Sequence, residues 1–298
     1  MHGVPHASLP DITLRQLEYL AAVADAPTWS TAADQVGVSA SALSQGLAEL
    51  ERRIGVQLFE SAGRRRMLRP SAQPVLDHAR RVVALTSDLV DWSTRLRSAG
   101  TGRVRLGMID IAAVVHFTGV LRAFRSEHSE VDLTLSVAPS AQLLDDLRDG
   151  LLDLVVCVAP PTANDGITTA VLFDEALRVI APSGTVIARP ASWGPWLMFP
   201  SDSHTRQVIM ERLRELGAPL VIAAESHQPE VLHQMARLGL GWAVLPVAQT
   251  TSVDDVVAGP ELVRRRLVLA KRAGSVYDPA VDEIAARLVA ASGKQLLS

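Results

Sequence analysis

Cysteine is nearly absent from this sequence. A single thiol in 298 residues, Cys157, excludes an intrachain disulfide and any zinc site built from several cysteines. Its place inside the apolar run Leu154 to Val158 reads as core rather than as a reactive group. Long hydrophobic runs are missing too. None reaches the roughly 18 residues needed to span a bilayer, so membrane insertion is not expected. The start, Met1 to Pro10, has neither a cluster of Lys or Arg nor an apolar core, so it does not read as a secretory signal, and a cytoplasmic location is expected. An excess of basic charge is also lacking: the net charge of -3 gives the chain as a whole no footprint for nucleic acid, so charge must be judged locally. Finally, G-x-S-x-G, G-x-G-x-x-G, a Walker loop and H-E-x-x-H are all absent. The eight histidines are scattered. His204 and His227 could meet as an acid, base or metal pair, but spacing suggests no third partner. No enzyme, cofactor or metal site is expected.

What is present is a soluble globular composition, 48% hydrophobic and 20% charged, on a chain long enough for two or three folded units. Leu14, Leu17, Ala21 and Ala24 recur at helical spacing until Pro27 stops the helix. Ser30 lies just before the short alanine-rich stretch Thr31 to Val36. The turn Gly37-Val38-Ser39 comes next, then a longer helix with Leu43, Leu47, Leu50 and Ile54 on one face. A short helix, a glycine turn and a capped longer helix make the helix-turn-helix order. Ser41, Ser44, Gln45 and Ala48 occupy the opposite face of the longer helix. Small and hydrogen-bonding side chains there would let it approach base edges in a major groove, though such a face also suits plain solvated surface.

Gln57 to Glu60 and Arg65 to Arg69 flank Ser61-Ala62-Gly63-Arg64, which reads as a hairpin. Between Arg52 and Arg69 stand six arginines, Arg52, Arg53, Arg64, Arg65, Arg66 and Arg69, against one acid, Glu60. Such a cluster suits the phosphate backbone, and a generic solvated charge run is its alternative.

Here a resemblance becomes specific. Leu14-Arg15-Gln16-Leu17, Ala32-Ala33, Val38-Ser39, Ala42-Leu43-Ser44, Leu50-Glu51 and Ile54 to Glu60 resemble the LysR-type DNA-binding domain over residues 12 to 73, without a gap. The chain departs from the family at Gln45, where an arginine is usual, and at Pro70-Ser71-Ala72-Gln73, where Thr-x-Ala-Gly is usual. The resemblance, with the pattern above, points to DNA contacts from Ser30, Thr31, Ser39, Ser41, Ser44, Gln45, Arg52, Arg64, Arg65 and Arg66.

From Ser71 to Arg97 runs a long helical stretch in which Val75, Ala79, Val82, Thr86, Leu89 and Leu96 form an apolar seam. It suits a second copy of the same helix, or else the chain's own core. Ser98 to Gly102 then marks a boundary. Beyond it, strand and helix patterns alternate: Val104 to Met108, a helix around Phe117 to Phe124, Val131 to Val137, a helix at Leu143 to Leu147, and Asp153 to Val158. A second series has strands at Ala176 to Ala181, Leu220 to Ala224, Trp242 to Leu245 and Leu267 to Ala270, with helices to Leu216, around Val231 to Leu238, and from Pro279 to Ala291.

Leu147 to Leu154 and Gly239 to Pro246 resemble stretches of the LysR effector domain. The resemblance implies an α/β multidomain chain: an N-terminal winged helix-turn-helix (12–70), a long linker helix (71–98) and a C-terminal two-subdomain effector domain like a periplasmic binding protein (103–298). Subdomain I would comprise 103–165 and 267–298, subdomain II 166–266. Ligands of such folds bind in the crevice between subdomains, at strand ends and helix N-termini. Asp110, Ile111, Ala159, Pro160, Ser201, Asp202, Ser203, His204, Ser226 and His227 fall there in this chain. Asp110 disfavours a simple carboxylate effector unless His204 or His227 offsets it, and favours one with an amino group or mixed polarity; an exposed loop aspartate without a ligand is its alternative. The implied partners are double-stranded DNA, a small-molecule effector, further copies of the chain as homodimer or homotetramer, and RNA polymerase. The rival reading is a solute-binding protein without DNA function.

Overall fold

The computed structural model describes residues 11–62, 65–97, 102–162, 166–249 and 256–295. The chain folds as two compact units, one over the stretch to Ser93 (with Arg148–Gly150 counted to it) and one over the rest from Thr94 onward.

In the first unit, α1 (Leu14–Asp25) begins at a reciprocal cap: the Thr13 hydroxyl accepts from the Gln16 amide at 3.3 Å, and the Gln16 side chain accepts from the Thr13 amide at 2.9 Å. Thr28 caps α2 (Trp29–Gln35), and Ser39 caps α3 (Ala40–Ile54) by accepting from the Ala42 amide. Gly37, at φ 69°, makes the turn between them, a left-handed conformation that a side chain would strain. Leu17, Leu20, Ala33, Leu43, Leu47 and Leu50 form the buried core at helical spacing. Glu51 then accepts the amides of Leu58 and Phe59, at 2.7 and 3.2 Å, and so fixes the entry to an antiparallel hairpin of β1 (Phe59–Ala62) and β2 (Arg65–Leu68). Arg64 lies outside the described residues, as does the expected break at 98–101.

A 3-10 turn at Pro70–Ala72 leads into α4 (Gln73–Arg97), 25 residues long. Its apolar seam is not a single face awaiting a partner. Ala79 is buried in the unit's own core, with Val75 and Val82 packed against it, and the Thr86 hydroxyl turns back on the Val82 carbonyl at 2.8 Å. Leu89, Val90 and Trp92 are exposed on the same helix.

The second unit is one eight-stranded mixed sheet in the order β4-β3-β5-β10-β6-β9-β7-β8. Its strands are β3 (Arg103–Met108), β4 (Asp132–Val137), β5 (Leu154–Val158), β6 (Ile167–Pro182), β7 (Trp196–Met198), β8 (Ile222–Glu225), β9 (Trp242–Pro246) and β10 (Val256–Arg272). A π-helical turn (Ala112–His116), α5 (Thr118–Glu127), α6 (Ser140–Arg148), α7 (His204–Glu215), α8 (Pro229–Arg237) and α9 (Pro279–Gln295) flank it. Two separate apolar cores result. One gathers Leu106, Met108, Phe117, Phe124, Val156, Leu267 and Ile284. The other gathers Trp193, Trp196, Trp242, Leu177, Ile209 and Leu232.

Two strands expected to be short are long. Ala176–Ala181 is only part of the 16-residue β6, and Leu267–Ala270 only part of the 17-residue β10. The polar residues that hid this pair with one another across the ladder, Asp174 opposite Arg266 and Glu175 opposite Arg265. The three-residue β7 was not expected from the sequence. No helix among the described residues is long and apolar enough to cross a membrane.

Candidate functional site

The first candidate surface lies on α3. Leu43, Leu47 and Leu50 are buried, which leaves Ser41 and Gln45 exposed one helical turn apart and Ser44 half-buried between them. Gly46 lets α1 come close: a Cβ there would lie 2.8 Å from the Tyr19 ring. Ser30 is exposed in the first turn of α2. The Thr31 hydroxyl sits 2.8 Å from that of Thr28, and the Ser39 hydroxyl is engaged as a cap.

The arginine cluster is less free than a count along the sequence suggests. Arg52 donates to Glu49 at 2.7 Å; Arg53 reaches Glu49 at 2.6 Å and Asp11 at 2.8 Å. Hydrogen bonds from Arg52 and then Arg53 hold the Glu49 carboxyl down at about 2. Glu49 lies just outside the window counted in the sequence and Asp11 far upstream of it, so the local charge of the Arg52–Arg53 end is largely compensated. Arg69 donates to the Phe59 carbonyl and lies 3.9 Å from Glu60. Arg65 stands opposite Ala62 in the hairpin. Arg66 is exposed with no acidic partner among the described residues, its guanidinium 5.4 Å from the centre of the Trp29 ring, and Trp29 in turn packs edge-on against Phe59 at 5.0 Å. The hairpin is thereby tied to α2.

The second candidate is a cleft of about 190 Å3 in the second unit, below the roughly 300–1,000 Å3 of pockets for drug-sized ligands. Of the residues singled out in the sequence, Asp110, Ile111, Ser203 and His227 line it. Ala159, Pro160, Ser201, Asp202, His204 and Ser226 do not. The Ala159 amide continues the ladder to the Arg266 carbonyl, Ser201 and Asp202 face solvent, His204 donates to the Val158 carbonyl at 3.3 Å, and the Ser226 hydroxyl accepts from the Gln228 amide at 3.1 Å. His204 and His227 therefore do not share the cleft.

Ser140, Phe199, Thr205, Gln228 and Arg265 also line it, and of these sequence reasoning missed Ser140, Phe199, Gln228 and Arg265. Arg265 is the most consequential. It is 3% exposed and lies on β10 opposite Glu175, itself 5% exposed. Its Nε donates to Glu175 at 2.7 Å and its Nη1 to the Thr205 hydroxyl at 2.7 Å; the second Glu175 oxygen lies 2.5 Å from His116 Nε2. Burial pushes the Glu175 carboxyl up, but the Arg265 charge and the His116 hydrogen bond outweigh it and hold it below the ordinary value. A signal was available: an Arg and a Glu in the middle of apolar strand patterns are buried only when paired.

Three helices begin at this cleft. Ser140 starts α6, its hydroxyl accepting from the Val158 amide; Ser203 caps α7; Gln228 precedes α8. Their N-terminal amides favour negative charge. Asp110 is half-buried, and its partner among the described residues is the Gln249 amide at 3.3 Å. Cys157 stands apart from all this, buried in β5, its thiol pushed up to about 12 by burial. Among the described residues no cluster of three or more His, Cys, Asp or Glu could hold a metal ion.

Comparison with known proteins agrees with this architecture. The LysR substrate binding domain profile matches residues 97–292, and that of the bacterial regulatory helix-turn-helix protein, lysR family, matches 14–73. A probable hydrogen peroxide-inducible genes activator from Streptomyces viridosporus is 31% identical over 93% of both chains. The RuBisCO operon transcriptional regulator of Allochromatium vinosum is 26% identical, over 90% of this chain and 93% of its own. Among solved structures, a full-length OxyR variant from Pseudomonas aeruginosa has a TM-score of 0.62 at 21% identity, covering 93% of this chain and 98% of that one. Full-length CbnR complexed with its target DNA has a TM-score of 0.58 at 20% identity, covering 95% and 99%.

Proposed function

Given that the chain belongs to the LysR family of transcriptional regulators, we propose that it reads its operator with the Ser41–Gln45 face of α3 and grips the phosphate backbone with the hairpin around Arg66. The observation that carries this reading is the pair of exposed, hydrogen-bonding side chains on α3, opposite its buried leucines, in the same small unit as an arginine left without an acid. Ser30 and Ser44 would add contacts beside them. Ser39 serves first as a cap, the Thr31 hydroxyl is engaged with that of Thr28, and Arg52 contributes less because Glu49 holds it.

Fluorescence anisotropy on the DNA upstream of the chain's own gene, against scrambled DNA at two salt concentrations, tests this. Gln45→Ala relaxes discrimination at particular base pairs by about 1 to 3 kcal/mol, whereas Arg66→Ala weakens all sequences alike and lowers the salt slope by about 1. Equal loss on random DNA for Gln45→Ala would remove it from the reading set.

The cleft in the second unit is the proposed effector site, with Asp110, Ile111, Ser203 and His227 among its contacts, joined by Thr205 and Arg265. Residues 103–165 and 267–298 would form one subdomain and 166–266 the other. Exposed Leu89, Val90 and Trp92 on α4 supply apolar surface for a second copy. Dimers pairing into tetramers would place four DNA-reading units, two on each of two DNA sites, and the effector would shift the angle between subunits by its difference in affinity for two arrangements.

A response to hydrogen peroxide, which the name of the Streptomyces relative brings to mind, finds no support in Cys157. With the Cys157 thiol near 12, roughly one in 10^5 is the reactive thiolate at neutral pH.

A further inference from the structure

Resting on the reading of the cleft as the effector site, we infer that its ligand is a small zwitterion of the amino-acid kind, with its ammonium on Asp110 and its carboxylate against the starts of α7 and α8. The two ends of the cleft's polar lining differ in sign. Asp110 is a half-buried carboxylate that lines the cavity and is met by no cation among the described residues; a glutamine amide at 3.3 Å is its partner. A carboxylate drawn partly out of water without a counter-charge is costly, and a bound ammonium removes that cost.

The other end is rich in donors. Ser203 and Gln228 stand at the first turns of two helices, and Arg265 lines the same wall. A guanidinium has five N–H groups. Glu175 and Thr205 engage three of those on Arg265, which leaves donors on a side chain only 3% exposed and part of the cavity wall. Because Glu175 already balances the arginine charge, a doubly negative ligand would find too little positive charge, while a single carboxylate suits the helix starts and the remaining donors. Ile109, Val137, Val158 and Phe199 line the space between with apolar surface, and the volume of about 190 Å3 favours a small molecule.

The test uses the purified full-length chain and thermal melting. Each common L-amino acid with an uncharged side chain is added at millimolar concentration, and every one that raises the melting temperature is compared with the same carbon skeleton lacking the amine and with the one lacking the carboxylate. At least one amino acid is expected to raise the melting temperature, with neither truncated form matching it. Asp110→Asn, which keeps the size of the side chain and a partner for Gln249, is expected to weaken that ligand roughly thirtyfold or more while leaving the unliganded melting temperature in place. The inference fails if no amino acid shifts the wild type, if the acid or the amine alone binds as well, or if Asp110→Asn binds unchanged. Ala138→Trp, which fills the cleft, separates the two levels: a ligand that still binds it lies elsewhere and overturns the cleft reading itself, whereas one lost on filling but indifferent to Asp110→Asn overturns only the zwitterion.

Discussion

Removing the Arg265 guanidinium leaves Glu175, only 5% exposed, without its buried counter-charge. Breaking a buried pair in this way costs about 3–5 kcal/mol if the carboxylate stays ionised. The protein has an escape, which is to bind a proton there. From the ordinary value of 4.5 to pH 7 that costs about 3.4 kcal/mol, at roughly 1.36 per pH unit, so protonation caps the loss.

His116, 2.5 Å from the other carboxylate oxygen, is the remaining group able to supply positive charge. The clean comparison is therefore His116→Asn against His116→Asn/Arg265→Met. In the wild type Arg265 and His116 together hold the Glu175 carboxyl low in the folded state, so its contribution is present above the unfolded value and lost as pH falls through the folded one; without His116, Arg265 is the charge left to oppose burial. With Arg265 gone burial dominates and the folded value rises, so the deficit grows as pH climbs past the unfolded value.

The expected loss is about 3–4 kcal/mol at pH 7 and about 1 kcal/mol at pH 5. Urea unfolding read by tryptophan fluorescence measures it. Trp193, Trp196 and Trp242 cluster within 6.1 to 6.4 Å of one another in the second core, so three of the five tryptophans report the unit that holds the pair. A loss under about 1 kcal/mol that is the same at both pH values would refute the assignment of Arg265 as the charge that keeps Glu175 ionised.

Other outcomes follow from the same geometry. Gly46→Ala places a methyl 2.8 Å from the Tyr19 ring, so it lowers the melting temperature and operator affinity despite a helix-propensity gain of about 1 kcal/mol; an unchanged operator affinity would show that the α1–α3 spacing does not set the reading face. Peroxide leaves operator binding unchanged and adds no oxygen to Cys157 by mass spectrometry in the folded chain, whereas unfolding in urea exposes that thiol to alkylation. Leu89→Glu, on the exposed stretch of α4, shifts the chain toward monomer in sedimentation velocity; undisturbed assembly would place the contact between copies elsewhere.

The reading unit was legible because short helices declare themselves by apolar spacing. Leu17, Leu43, Leu47 and Leu50 sit in the core that their spacing implied, whereas Leu14 is exposed and the buried Leu20 did not stand out. Ser39 was visible as a cap for the same local reason. The sensing unit was legible only where its strands are uniformly apolar, as at Leu154–Val158. Where β6 and β10 carry charge, at Asp174, Glu175 and Arg264 to Arg266, the pattern did not show as strand because the compensating residue lies about 90 positions away. Arg265 escaped notice as a cleft residue for that reason. In the opposite direction, Ser201, Asp202 and Ser226 were chosen for standing near strand ends, and position along the chain does not say which side of a turn faces a cavity.

The strands β6 and β10 pair with each other from Ile167 to Pro182, and the ladder shifts register between Ala258 and Glu261, between Glu261 and Val263, and between Leu267 and Val268. One hydrogen-bonded ribbon therefore passes through both halves of the sensing unit. The half built from 103–165 and 267–298 cannot be inherited, excised or swapped as a continuous piece of gene, because the other half interrupts it in the chain. Any opening of the cleft must twist that ribbon, and its irregular steps are where such a twist is easiest to absorb. The unit is in this sense a spring made of two strands, and substitutions that regularise the ladder at 258–263 would stiffen it without touching a ligand.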